Sequence, residues 1–241
     1  MDHDRNHPGI LEKLSLYTDG YRITGLAITM WLLVISIGLG FCLSVPLAVA
    51  HVSKNSCCPE VSGCILLYTY VFRGTPLYVQ LLLCYTGLYS LQVVRDHMLL
   101  AEFLRSGMNC TLLAFTLNTC AYTTEIFAGA IKATPYGEIE AARLRHVGLH
   151  AVPSVILPSA LRPAYYYSNE VILMLHATTV AFTATVPYIL KIARDVNSAT
   201  YQSFQAFGIA ALLYLCISFT LVWLFRRAKH RWLAYLRPQG K

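Results

Sequence analysis

The chain has 241 residues, of which 56% are hydrophobic and only 13% charged, with a mean hydropathy of +0.51. A soluble domain of this length carries about 25% charged residues, so the deficit places the chain among membrane proteins before any motif is read. The formal charge is +7, yet no basic run with interleaved aromatics forms a polynucleotide track. That pattern tells against nucleic acid as a partner and suits basic residues that mark cytoplasmic loops.

Apolar runs of about 20 residues are read as membrane helices, and the chain has five in order. Residues 1–22 precede the first and are read as a short outer segment. Ile23 to Ala50 carries no charge. Its end, Ala48-Val49-Ala50, resembles a leader cleavage site, but a leader has an apolar core of about 7–15 residues behind a basic stretch. This core is nearly twice that and follows an acidic-mixed segment, so it reads as a retained helix. Cys57-Cys58 in the next loop has no Cys-x-x-Cys or His spacing for a metal, and most of the other cysteines sit in apolar runs as small packing residues. Val61 to Val94 contains one charge, Arg73; Ser106 to Ile131 contains one, Glu125. Leu161 to Leu190 has Arg162 and Glu170 near its start, and Phe204 to Phe225 has no charge.

Five spans put the two ends on opposite sides. With the N-terminus outside, the inner segments hold eleven Lys or Arg and the outer segments seven. The positive-inside rule then gives N-out and C-in. The basic cluster from Arg226 to Arg231 carries most of this signal and suits contact with lipid phosphates. The expected fold is an all-α integral membrane protein of five transmembrane helices. Its membrane domain covers 23–228, with a cytoplasmic loop over about 132–160 and a basic tail over 229–241.

The loop between the third and fourth spans reads Lys132-Ala-Thr-Pro-Tyr-Gly-Glu138-Ile-Glu140-Ala141-Ala142-Arg143-Leu-Arg-His-Val-Gly148, then Ile156-Leu-Pro158. Pro135 and Gly137 are turn residues. Glu138 to His146 is rich in helix formers, with Glu early and Arg late as the helix dipole favours. Such a helix is a lever for another protein or an ordinary amphipathic connector; its residues alone permit both.

Glu140-Ala-Ala, the following Gly148 and Ile-Leu-Pro resemble the EAA loop of ABC importer permeases. Arg73-Gly-Thr-Pro-Leu-Tyr-Val-Gln and Asn118-Thr-Cys-Ala-Tyr-Thr-Thr-Glu125 resemble the signatures of polar amino acid permeases. Tyr167-Ser-Asn169-Glu170-Val, Ala181-Phe-Thr-Ala-Thr-Val-Pro and Lys191-Ile-Ala-Arg-Asp are similar to membrane subunits of histidine and lysine/arginine/ornithine permeases. The resemblance runs from about Tyr17 to Leu233. It departs from the family at His146, where a Gly is usual, and in the displaced Gly148 and Pro163.

The resemblance implies the five-helix permease fold of type I ABC importers in the bacterial inner membrane, without a catalytic site, metal or cofactor of its own. It implies a second homologous permease subunit, two copies of a cytoplasmic ABC ATPase and a periplasmic amino-acid-binding protein as partners. Glu138, Glu140, Ala141, Ala142, Arg143 and Gly148 would then form the contact with the ATPase. No Walker A pattern is present in the chain, in agreement with ATP being bound elsewhere. The substrate class implied is polar, basic amino acids. An ion-driven secondary transporter is the alternative; inverted repeats and half-helices would mark it, and five spans show no convincing repeat. A membrane enzyme is a weaker rival, with no nucleophile–base or His-Glu-x-x-His pattern.

An ionisable residue at membrane depth is costly and marks function by default. Arg73 and Glu125 carry opposite charges on neighbouring spans. Glu125 would hold a cationic side chain and Arg73 a carboxylate of the substrate, or the pair would serve packing and snorkelling. Asn118, Tyr122 and Glu125 fall at i, i+4 and i+7 and share one helix face. Together with Asn169 and Glu170 they are candidates for the substrate path, against the plainer reading of interhelical hydrogen bonds.

Overall fold

The computed structural model describes residues 17–19, 21–23, 25–52, 59–133, 164–184 and 186–232. Near the start of the chain lies a short antiparallel pair, β1 (Tyr17–Asp19) and β2 (Tyr21–Ile23), with Thr18 opposite Arg22. Its tyrosines, threonine and isoleucine are residue types that favour strands. Everything else with regular structure among the described residues is helical.

Helix α1 (Gly25–Val52) continues through Pro46 for 28 residues. At 1.5 Å per residue it spans roughly 42 Å, more than the ~30 Å hydrocarbon thickness of a bilayer. The last helix, α10 (Ser203–Trp232), runs from the expected start into the basic cluster. By length and composition, Gly25–Val52 and Ser203–Arg227 are each apolar enough to cross a membrane. The third expected span is α7 (Gly107–Lys132), 26 residues long. Its lower hydropathy has a physical cause: Thr111, Thr116, Asn118, Thr119, Thr123 and Thr124 are all buried within the protein rather than offered to lipid.

The second and fourth expected spans are not single α-helices. Val61 to Val94 was expected to be continuous. Instead α2 (Pro59–Gly74) stops before Thr75-Pro76, and α3 (Leu77–Leu82) passes through a π-helical turn, Leu83–Gly87, into α4 (Leu88–Ser90). Proline has no N–H to continue a helix, and its ring disfavours the α conformation of the residue before it. Beyond it lie two short helices, α5 (Gln92–Asp96) and α6 (Met98–Arg105), separated by extended residues Leu91 and His97.

The fourth expected span begins, in its described part, as α8 (Ala164–Ala177). It then tightens into a 3₁₀ helix, Thr178–Ala184. A separate amphipathic helix follows, α9 (Ile189–Thr200), which buries Ile189, Ile192, Ala193 and Val196. On its other side Lys191 pairs with Asp195 at 2.9 Å. Helix α9 ends at Tyr201, which adopts φ 56° and donates its N–H to Asn197 O at 2.8 Å.

By packing, the chain forms two compact units, with boundaries inside α1, α3, α7, α8 and α10. One comprises Met1–Ile35, Tyr78–Ala114 and Met174–Phe219; the other comprises Ser36–Leu77, Phe115–Leu173 and Thr220–Lys241. In the first, Leu32, Leu33, Leu81, Leu175, Tyr188 and Ile189 are almost wholly buried. In the second, an aromatic cluster ties four helices. Phe41 packs edge-on against Phe127 at 5.3 Å and against Tyr167 at 5.6 Å, and Tyr167 meets Phe225 at 6.5 Å. Such offset and edge-to-face pairs are the favoured aromatic geometries. Helices α1 and α7 approach closely at Gly40, where a Cβ would lie 2.9 Å from Thr119 Cγ2 and 3.2 Å from the Cys120 nitrogen. Small residues at such crossings are how membrane helices gain contact in the absence of a hydrophobic driving force.

Candidate functional site

The site grows from the break in α2. In an unbroken helix the carbonyl of Phe72 would accept from residue 76, but Pro76 has no N–H. The helix ends at Gly74, so the carbonyl of Arg73 also needs a donor from outside it. Helix α7 supplies both. Asn118 donates its amide Nδ2 to Phe72 O at 3.2 Å, and Tyr122 donates its hydroxyl to Arg73 O at 3.3 Å. One turn earlier, the Tyr68 hydroxyl donates to Leu117 O at 2.6 Å. Just past the end of α2, Thr75 donates both its N–H and its hydroxyl to Val71 O, at 3.0 and 2.8 Å. Freed backbone groups in membrane helices are re-satisfied by neighbouring helices and by Ser or Thr in this way.

Glu125 lies one further turn along the same face of α7. Thr69 and Arg73, at i and i+4 on α2, share the facing side. The Thr69 hydroxyl donates to Glu125 Oε1 at 2.8 Å, and Arg73 Nη1 stands 4.0 Å from Glu125 Oε2. The Arg73 guanidinium also lies over the Tyr122 ring, 5.4 Å from its centroid. Cations over aromatic faces are attracted by the ring quadrupole. Thr69 is 1% exposed, whereas the side chains of Arg73 and Glu125 are 45% and 24% exposed. One carboxylate oxygen is therefore held by a buried hydroxyl, while the arginine beside it remains open. Arg73 also sits in the last turn of α2, where the helix dipole favours a cation.

The structure thus brings Arg73, Asn118, Tyr122 and Glu125 into one seam between α2 and α7. Glu170 on α8 is buried. Asn169 is exposed, and among the described residues no hydrogen bond ties it to this cluster. Glu138, Glu140, Ala141, Ala142, Arg143 and Gly148 lie outside the described residues. Thr69 and Tyr68 were not singled out in the sequence. Thr69 was recoverable from its i−4 spacing to Arg73, whereas Tyr68 had no signal beyond its place in an apolar run. Helix α7 also buries the hydroxyls of Thr116, Thr119 and Thr123, which have no hydrogen-bond partner among the described residues. At i, i+3 and i+7 they lie on the side of α7 where Thr119 meets Gly40.

Comparison with known proteins bears on what this seam belongs to. Residues 59–232 match the family model described as binding-protein-dependent transport system inner membrane component. The chain is 60% identical over 227 residues to the histidine/lysine/arginine/ornithine transport system permease protein HisM of Escherichia coli strain K12, covering 93% of this chain and 94% of that one. It is 62% identical over 226 residues to the protein of the same description from Salmonella typhimurium, covering 93% and 95%. The nopaline transport system permease protein NocM of Agrobacterium fabrum is 38% identical over 197 residues, covering 80% of each chain. A solved structure described as an amino acid ABC transporter with histidines superposes with a TM-score of 0.71 at 27% identity, covering 86% of this chain and 92% of that chain. A helical chain with polar residues turned inward, matched along most of its length by transport permeases, belongs to the family of binding-protein-dependent transport system inner membrane components.

Proposed function

We propose that this chain is the transmembrane permease subunit of an importer for polar, basic amino acids: histidine, lysine, arginine and ornithine. The observation that carries the proposal is 60% identity, over 93% of the chain, to a permease of that description. Five helices cross the inner membrane with the N-terminus outside and the C-terminus inside. The second crossing is broken at Pro76 and the fourth changes to 3₁₀ geometry at Thr178. The chain pairs with a second homologous permease subunit. Two copies of a cytoplasmic ABC ATPase supply energy, and a periplasmic binding protein delivers the amino acid. The family match favours this reading over an ion-driven secondary transporter.

In this reading the α2–α7 seam and α8 contribute to the substrate path. Arg73 stands 4.0 Å from the carboxylate of Glu125, and α8 contributes a second, buried carboxylate, Glu170. That set of charges suits a substrate carrying a cationic side chain and a carboxylate, since charges within a membrane protein need counter-charges. Asn118 and Tyr122 act one step back: they hold the end of α2 and so place Arg73. Asn169, beside Glu170 in sequence and exposed, remains a candidate contact. Glu138, Glu140, Ala141, Ala142, Arg143 and Gly148 form the lever that the ATPase grips.

The test is uptake of labelled lysine and histidine into proteoliposomes holding the assembled transporter and its binding protein. ATP-dependent uptake is expected, and Glu125→Gln should lower lysine uptake several-fold while assembly stays intact. Uptake driven by an ion gradient without ATP would reject the importer reading. A wild-type lysine rate in Glu125→Gln would remove Glu125 from the path.

A further inference from the structure

Helix α6 carries apolar residues on more of its circumference than the protein covers. It has eight residues, which at 1.5 Å each give a length of roughly 12 Å, far short of the ~30 Å needed to cross a bilayer. His97 before it and Ser106 after it are extended, so it continues neither α5 nor α7. Helix α7 nevertheless holds its end. The carbonyls of Phe103 and Leu104 are among the last four, which a helix leaves without an internal donor. Asn109 Nδ2 donates to the first and Cys110 Sγ to the second, each at 3.1 Å. The last turn of α6 is thereby fastened to the first turn of α7.

At about 100° per residue the side chains of α6 sort into three arcs. Ala101 and Leu104 lie on the arc toward the protein, where Leu104 is 6% exposed. Leu99, Leu100 and Phe103 form a second arc, contiguous with the first, and it is open: Leu99 is 83% exposed. Glu102 and Arg105, both exposed, mark the third, with Met98 at the helix start between them. The centres of the open apolar arc and the charged arc stand about 140° apart. Apolar residues thus run from the core round to an uncovered flank, and the charges lie across from that flank. A short helix with this pattern suits the plane of a membrane interface, its apolar side sunk about 5–10 Å into the headgroup and acyl boundary. Arg95 and Arg105 are exposed near its two ends, where arginines at an interface reach lipid phosphates.

We infer that α6 lies flat in the surface of the bilayer, with Leu99, Leu100 and Phe103 among the lipid chains and Glu102 toward water. The occupant of the open flank is phospholipid, because α6 is braced directly onto a helix of an inner membrane component and the bilayer is the apolar phase within its reach. The inference rests on the proposed crossing of the membrane by α7. It places α6 in the leaflet where α7 begins, which is the outer one with the N-terminus outside. The hydrogen bonds from Asn109 and Cys110 then anchor the start of α7 at that depth.

The test is nitroxide accessibility in the assembled transporter, in proteoliposomes of phosphatidylethanolamine and phosphatidylglycerol, with every other cysteine of the complex replaced. Leu99→Cys and Phe103→Cys place the label on the apolar arc, Glu102→Cys on the charged arc and Leu212→Cys on the exposed side of α10. Collisions with oxygen report lipid, and collisions with a water-soluble nickel chelate report water. The oxygen-to-nickel ratio should be several-fold higher at positions 99 and 103 than at position 102. Nickel excess at 99 and 103 would overturn the inference, since the flank would then face water. Low collision rates with both reagents there would also overturn it, since a protein partner would then cover the flank. Equal oxygen excess at 99, 102 and 103 would place the helix inside the membrane rather than at its surface, which overturns it as well. Nickel excess at position 212 is a different failure, because it would reject the crossings themselves.

Discussion

Thr69→Val removes one hydroxyl and keeps the shape of the side chain. The lost interaction is the 2.8 Å hydrogen bond to Glu125 Oε1, made by a residue that is 1% exposed. Hydrogen bonds to charged groups contribute about 1.5–3 kcal/mol in soluble proteins. Interhelical bonds in membranes measure lower, about 0.6 kcal/mol on average and about 1.7 at most, because the helices find other partners when apart. Glu125 retains Arg73 at 4.0 Å and is partly open, which places the expected loss near about 1 kcal/mol. For a chain of this size that corresponds to a fall of about 2–4 °C in the apparent melting temperature. The assay is thermal unfolding of the detergent-purified transporter followed by α-helical circular dichroism, with Thr69→Ser as the control that restores the hydroxyl. If Thr69→Val melts with the parent, or Thr69→Ser falls as far as valine does, the bond does not hold the α2–α7 seam.

Two further outcomes follow from the proposed orientation and the proposed coupling loop. In intact cells, a membrane-impermeant thiol reagent should label Asp96→Cys in a background without other cysteines and leave a lone Cys57 untouched, as N-out topology requires; the reverse pattern would invert the model. Glu140→Lys should reduce co-purification of the ATPase and ATP-driven uptake together while the chain still inserts, because an unpaired charge at a small buried contact is costly. Full retention of both would remove the coupling role from Glu140.

The long uninterrupted elements were legible in the sequence because composition alone determines them. Helix α1 and the start of α10 lie where an uncharged apolar run says they should, and α7 begins within a residue of its expected start. The i, i+4, i+7 face of Asn118, Tyr122 and Glu125 was also readable, since helical periodicity does not depend on the neighbour. What the face meets was not readable. The partners of Asn118 and Tyr122 are backbone carbonyls of another helix, and hydropathy does not register carbonyls. The division of the second and fourth spans was lost for the same reason: an average over apolar residues passes smoothly through Thr75-Pro76 and through Thr178–Ala184, although the hydrogen-bond pattern changes at both. Pro76 was a visible signal, and weighting it as a helix terminator rather than as part of a family signature would have placed the end of α2.

The order of cause in the α2–α7 seam runs from proline to charge. Without Pro76, α2 would continue, the carbonyls of Phe72 and Arg73 would be taken up within the helix, and Asn118 and Tyr122 would face a surface with no acceptor to offer. Polar side chains in that position would then be a cost, as buried polar groups without partners are. With the break, the same two residues fix the last turn of α2 at the height of α7 where Glu125 stands. Arg73 is then presented at the negative end of a terminated helix, beside a carboxylate already held by Thr69 on its other oxygen. Its guanidinium is nevertheless 45% exposed and no nearer than 4.0 Å to Glu125, a contact long enough for a competing charge to displace. On the proposed reading of this seam as part of the substrate path, helix geometry would set the position of the charge while a substrate carboxylate competed for it with Glu125.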